Sequence, residues 1–400
     1  LSYFMKFSRK VLDNGLVILH EKRDIPVTSV MLAARYGGIN ERGNDKGAAH
    51  FMEHLCFKGT KRRTALQISS EVEKVGGVLN AFTSEEVTAY YVKLPSESTR
   101  IAMDVIFDIF FNASFPEMEV AKEANVICEE MKMRKDNPRI HILDKIQSML
   151  YKEPFGKDLI GIEKDVRAMT REKLYNRHRE IYVPKNSILC VVGNNEFEDV
   201  VKMAEELVVE REGVSHDLFK PEIQNLGEIE NRAGVNQTNL ALGVHFPFGD
   251  VKERYAGEVF SAILGGGMSS KLFTEVREKR GLVYGVRSDL DLGKNYGYLI
   301  IYAGTEPSKK EEVIKVCLEE YKKMGEVSED ELREAKIQLI GNRHIETEGS
   351  DQVAVGLILE EISGDGSRYY EYEKNINSVT LEDVRKLAEK TEHASFSLEP

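Results

Sequence analysis

The chain reads as an α+β protein of two homologous domains, each a mainly antiparallel sheet packed against helices. Three observations predict this. Four hundred residues are more than one hydrophobic core usually holds. Amphipathic helical stretches alternate with short β-branched and aromatic runs. The order of elements in the first half recurs about 205 to 212 residues later. The copies are placed at residues 1–215 and 228–400, with a polar linker at 216–227.

The elements follow in order. Asp13-Asn14-Gly15 lies between two apolar stretches and predicts a hairpin turn. Residues 27–35 form a strand, and residues 46–57 and 65–75 form helices. In the second helix Ile68, Val72 and Val75 share one face, and Gly76-Gly77 ends it. β-branched and aromatic runs place strands at 78–83 and 87–94. Long helices follow at 96–112 and 116–135. Pro116 suits the first turn of its helix, where its missing N–H has no partner to lose. The apolar run 187–193, bounded by Asn186 and Asn194, is a buried strand.

The repeat is visible in the letters. Met169-Thr170-Arg171-Glu172-Lys173-Leu174 matches Val379-Thr380-Leu381-Glu382-Asp383-Val384. Phe115-Pro116-Glu117 matches Val327-Ser328-Glu329 at the head of a long helix. This register sets His50-Phe51-Met52-Glu53-His54-Leu55 against Val259-Phe260-Ser261-Ala262-Ile263-Leu264. The packing residues Phe and Leu persist, while His, Glu and His become Val, Ala and Ile. A helix that only packs needs none of those three polar side chains.

Composition excludes several classes. The net charge is −12, and no lysine/arginine run exceeds three residues, which argues against nucleic acid as a partner. No run of eighteen apolar residues exists, so no membrane span is expected. Residues 1–7 are too short for a signal-peptide apolar region, with Met5 a candidate start. Cys56, Cys128, Cys190 and Cys317 have no C-x-x-C spacing and read as reduced, buried thiols of a cytoplasmic protein.

His50-Phe51-Met52-Glu53-His54 carries the chemistry. At 100° per residue, His50 and His54 stand about 40° apart on one helix face and can reach one metal ion. Glu53 projects beside them and can take a proton from a water. The spelling H-x-x-E-H inverts the commoner zinc-peptidase motif. Catalytic zinc wants three protein ligands. Glu123 and Glu130 lie seven residues apart, two turns, on one face of the helix after Pro116. Glu130 is the expected third ligand, and Glu123 the carboxylate that orients a histidine. In the repeat they fall on Ala335 and Asn342. The alternative is a solvated acidic helix face. Cys56 and Cys128 stand about 200° round from the neighbouring ligands and read as core thiols. His141, His178 and His344 lack ligand spacing. Gly265-Gly266-Gly267 is not a phosphate loop, since no G-K-[ST] follows.

With these residues in place, the chain resembles the pitrilysin-type, or inverzincin, zinc metallopeptidases. It is closest in size to mitochondrial processing peptidase and its short prokaryotic relatives. That family's pattern sets a glutamate about 76 residues after H-x-x-E-H and another seven before it. Here His54 to Glu130 is 76 residues. Gly47-Ala48-Ala49-His50, Phe57-Lys58-Gly59-Thr60 and Asn80-Ala81-Phe82-Thr83 are similar to the motif flanks, as are Leu264–Phe273 and Arg277–Tyr284 in the second half. The resemblance covers the chain from about Asn14 onward.

It implies one Zn2+ per chain on His50, His54 and Glu130, Glu53 as general base, and Glu123 behind a ligand. It implies that Arg277 and Tyr284 contact a substrate carbonyl, although on sequence alone they are an ordinary surface helix residue and an ordinary strand residue. It implies that Asn80, Ala81 and Phe82 lie on an edge strand holding extended peptide. The expected activity is endopeptidase cleavage of peptides or unstructured segments in an enclosed chamber. The chain would be half of a clamshell, a homodimer, with a heterodimer of related chains possible. The competing expectation is a catalytically silent structural or partner subunit of the same fold.

Overall fold

The structure, a computed structural model, describes residues 6–214, 219–247 and 249–400. Two compact units emerge. One comprises residues 1–131, 159–218 and 346–369, and the other residues 132–158, 219–345 and 370–400.

The first unit is built on a six-stranded sheet of β1 (Lys6–Val11), β2 (Val17–Lys22), β3 (Val27–Ala34), β4 (Val78–Thr83), β5 (Thr88–Pro95) and β6 (Ser187–Gly193), in the order β1-β2-β6-β3-β5-β4. Only β2 and β6 run parallel. The Asp13-Asn14-Gly15 turn closes the β1–β2 hairpin, with Gly15 at φ +88° and Val11 opposite Val17. β6 is buried along its whole length and β3 along nearly all of it. Strands buried on both faces need cover on both.

On one face lie α1 (Ala48–Cys56), α2 (Ala65–Glu73), α3 (Thr99–Asn112) and α4 (Glu117–Asp136). Phe51 and Leu55 of α1, Phe107 and Phe110 of α3, and Ile127 of α4 join Val30, Leu32 and Leu189 of the sheet in one core. On the other face, the helix Ser350–Ser363 places Val353, Ala354, Leu357 and Ile358 against Leu19, Met31, Ala33, Ile188 and Val192. β4 is the edge strand nearest α1, paired on one side only, to β5.

The second unit repeats the plan with β7 (Gly227–Asn231), β8 (Thr238–His245), β9 (Val283–Leu292), β10 (Gly297–Thr305) and β11 (Ala394–Glu399), in the order β7-β11-β8-β10-β9. Again one pair, β7 with β11, is parallel. The helix Val251–Gly265 supplies Val259 and Phe260 to a core with Leu299, Ile301 and Tyr321. The helix Pro138–Leu150 covers β8, where a side chain added at Gly243 would meet Leu150 and Ile146.

The two-copy α+β plan is observed, and the expected elements lie within a few residues of their predicted bounds. By contacts, neither compact unit is one continuous stretch of the chain. Residues 132–158 cluster with the second unit and residues 346–369 with the first. Each sheet takes one covering helix from the other half of the sequence. The reason is the double burial of the central strands, which leaves an apolar face for any amphipathic helix that can reach it. The linker at 216–227 lies partly outside the described residues. Its later part is tied down, since Lys152 N–H donates to Glu222 O and Gln224 N–H to Leu150 O, and β7 begins at Gly227. Among the described residues no helix is long and apolar enough to cross a membrane.

Candidate metal centre

α1 starts at Gly47, which takes φ +93°, a value that favours glycine. From there the helix is amphipathic. Phe51, Met52, Leu55 and Cys56 face the core, while His50, Glu53 and His54 stay partly exposed on the other side. The two imidazole rings lie 4.7 Å apart between centroids. α4 brings Glu130 to them, with Oε2 3.7 Å from Nε2 of His50 and 3.7 Å from Nε2 of His54. One ligand atom from each lies within 4.8 Å of the other two. Tetrahedral zinc, with bonds of about 2.0–2.1 Å, separates its ligand atoms by roughly 3.4 Å. Both Glu130 distances are within about 0.3 Å of that separation, and side-chain movement would let the three donors close on one such ion. These side chains keep 14%, 20% and 28% of their surface exposed, so the cluster is reached by solvent. Among the described residues no other group of three or more His, Cys, Asp or Glu donors is close enough to share an ion.

Glu123, seven residues before Glu130 on α4, faces the other nitrogen of His54. Nδ1–H of His54 donates to Glu123 Oε2 at 3.1 Å, and Lys58 Nζ holds the other oxygen at 2.8 Å. Burial pushes Glu123 up, but the bonds from His54 and Lys58 outweigh it and keep the carboxyl below its ordinary range. With Nδ1 committed as donor, Nε2 of His54 keeps its lone pair for a metal.

Glu53 is held from the sheet. Thr83 Oγ1, at the end of β4, donates to Glu53 Oε2. Burial raises Glu53 above the usual carboxylate range, opposed by the Thr83 bond and His54 and reinforced by Glu130. A raised carboxyl is better matched to proton transfer near neutrality. The sequence reading named Thr83 only within a strand motif and missed its bond. Lys58 was likewise a flank residue without a role. Neither has a spacing signal, because both contacts join separate elements.

Asn80, Ala81 and Phe82 do lie on the edge strand, and Asn80 Oδ1 accepts from Ala81 N–H at 2.8 Å. Arg277 and Tyr284 belong to the second unit, in a π-helical turn and in β9. The guanidinium carbon of Arg277 lies 4.7 Å from the Phe273 ring centre and 5.6 Å from that of Tyr284, which is 84% exposed. Arg277 and Tyr284 therefore lie beside each other within that unit. In the repeat of α1, Val259, Ala262 and Ile263 are buried. The apolar counterparts serve packing, as a scaffold helix requires. All four cysteines are buried.

Comparison with known proteins adds an independent line. Residues 16–163 match the family described as insulinase (peptidase family M16), and residues 168–339 match the peptidase M16 inactive domain. A Rickettsia felis protein called an uncharacterized zinc protease is 35% identical over 340 residues, 84% of this chain and 82% of the relative. A similarly named protein of Mycobacterium leprae is 33% identical over 392 residues, 95% of this chain and 88% of the relative. The crystal structure of a protease from Helicobacter pylori superposes with a TM-score of 0.90 at 25% identity, covering all of both chains. An M16 inactive-domain structure from Pseudomonas fluorescens, 19% identical with a TM-score of 0.88 and covering 99% of this chain and 98% of that one, shares the fold. Two homologous sheet-and-helix units, a His-His-Glu cluster on the first and relatives aligned over almost the whole length agree, and the chain belongs to peptidase family M16, the insulinase family.

Proposed function

We propose that the chain is a zinc-dependent endopeptidase that hydrolyses peptides or unstructured segments, with one Zn2+ on His50, His54 and Glu130. The observation that carries this is the convergence of those three donors, with the Glu53 carboxyl beside them and absent from the equivalent helix of the second unit. When bound, zinc supplies Lewis acidity that polarises a carbonyl and acidifies water toward ~7.

The protein's own groups do the rest. Thr83 occupies Glu53 Oε2 and leaves Oε1 to accept the proton of the attacking water. Glu53 then returns that proton to the leaving amine. Glu123 and Lys58 keep His54 in the tautomer that presents Nε2. The free side of β4, at Asn80, Ala81 and Phe82, would hold substrate as an added strand. Arg277 and Tyr284 are the candidate donors to the oxyanion. We also infer a cytoplasmic homodimer forming a clamshell; a monomer by light scattering at working concentration would refute the dimer.

The decisive experiment compares wild type with Glu53→Gln. Both should bind one zinc per chain, and the variant should lose cleavage of an unstructured peptide by at least about a hundredfold. A wild type that binds zinc but cleaves nothing across a broad peptide library would establish the silent-subunit reading instead.

A further inference from the structure

The start of α1 is gripped by the buried side chains of Glu41 and Lys46, which take no part in the chemistry. Glu41, 1% exposed, sits in the loop leading into the helix. Gly47 N–H donates to its Oε2 at 2.9 Å and Ala49 N–H to its Oε1 at 2.7 Å. Amide groups at a helix start lack partners within the helix, and a carboxylate there also meets the positive end of the dipole. Glu41 therefore caps α1 from six residues upstream of Gly47, where the cap position itself has no side chain to do it.

Lys46 is fully buried alongside. Its Nζ donates to Gly38 O at 3.1 Å and lies 4.0 Å from Glu41 and 3.7 Å from Glu85. Glu85 belongs to the turn between β4 and β5. The same turn holds the loop through its backbone, with Gly38 N–H on Ser84 O at 3.1 Å and Ile39 N–H on Glu85 O at 2.8 Å. The space is closed, since a side chain added at Gly38 would come within 2.4 Å of Glu85 and 2.9 Å of Lys46.

This cluster joins two elements whose register matters. α1 carries His50, Glu53 and His54, and β4 ends in Thr83, which holds Glu53. Burying charges is expensive, and apolar side chains in place of Lys46 and Glu85 would fill the space at little cost, whereas losing Glu41 would strand the Gly47 and Ala49 amides. Packing alone does not call for a lysine between two carboxylates here.

We propose that Glu41 and Lys46 are positioning residues of the metal centre, Glu41 fixing the start of α1 through the amides of Gly47 and Ala49, three and one residues before His50, and Lys46 tying it to the β4–β5 turn. This rests on the reading of His50, His54 and Glu130 as ligands.

The test is cobalt(II) titration of the full chain, read by the visible absorption band of the bound ion and by calorimetry. The proteins are wild type, His50→Ala, Glu41→Gln and Glu41→Asp, each checked for folding by thermal melting. Wild type should bind and His50→Ala should not. Glu41→Gln should bind about 10- to 100-fold more weakly with a changed band, as displaced ligand supports do. Glu41→Asp, which keeps the charge but draws it back from both amides, should fall between and decides the matter if Glu41→Gln does not fold. In peptide cleavage kcat should fall with KM nearly unchanged. A folded Glu41 variant with the wild-type affinity and band overturns the positioning role alone. A wild type whose cobalt binding does not need His50 overturns the metal-site reading with it.

Discussion

His54 is held at both ring nitrogens, by Glu123 at Nδ1 and near Glu130 at Nε2, and that double constraint selects which nitrogen faces a metal. Two buried histidines, His20 and His178, behave differently. Both are fully buried, and burial lowers them to about 4 and about 3. Above pH 7 they are neutral whether the chain is folded or not. As pH drops below about 6.5, the unfolded chain takes up a proton at each that the folded chain refuses. Stability must therefore fall from pH 6.5 downward, until about pH 4 for His20 and about pH 3 for His178. The expected slope is up to about 1.4 kcal/mol per pH unit for each histidine. Denaturant melts at several pH values between 7.5 and 5, on wild type and His178→Gln, check this. The variant, whose amide can still serve Phe110 O, should show the shallower slope; equal slopes would remove His178 from the account. Residue roles were unevenly legible. His50, Glu53, His54, Glu123 and Glu130 announce themselves by spacing. Thr83, Lys58 and Glu41 do not, because each acts on a group that only folding brings near.

At the scale of the element, α1 shows what periodicity can and cannot say. The helix was expected over residues 46–57 and runs Ala48–Cys56. The difference at its start is Gly47, whose left-handed backbone turns the chain where Lys46 is buried and Glu41 caps. A side chain added at Gly47 would lie 2.6 Å from Ile160 O and 2.9 Å from Gly161 Cα. Gly47→Ala should therefore cost about 1–3 kcal/mol in strain, more if the backbone must shift. Its zinc affinity should fall along with its melting temperature. Thermal melting and a zinc titration measure both, and a variant as stable as wild type would show that the turn is not strained. β4 was legible as a strand from its letters. That it is an edge, free on one side, depends on the strand order.

For the whole molecule, the informative feature is the exchange of covering helices. Leu357 lies in the last eighth of the chain, yet it is fully buried in the first unit against β2, β3 and β6. Leu357→Ala should destabilise by about 2–5 kcal/mol. Hydrogen exchange locates the effect. Amides of β3 and β6 should lose protection while those of β8 and β10 keep theirs, and the reverse pattern would restore the contiguous division at 215/228. The sequence by itself determined the element types, the two-copy plan and the five-residue pattern of ligands and base with its 76-residue partner. Those are local or periodic properties, and side-chain spacing along a helix or strand is set by backbone geometry alone. Tertiary structure decided which helix covers which sheet face, which hydroxyl holds Glu53 and what grips the start of α1. Those depend on which apolar faces and unpaired polar groups meet in space, and chain order does not encode that meeting.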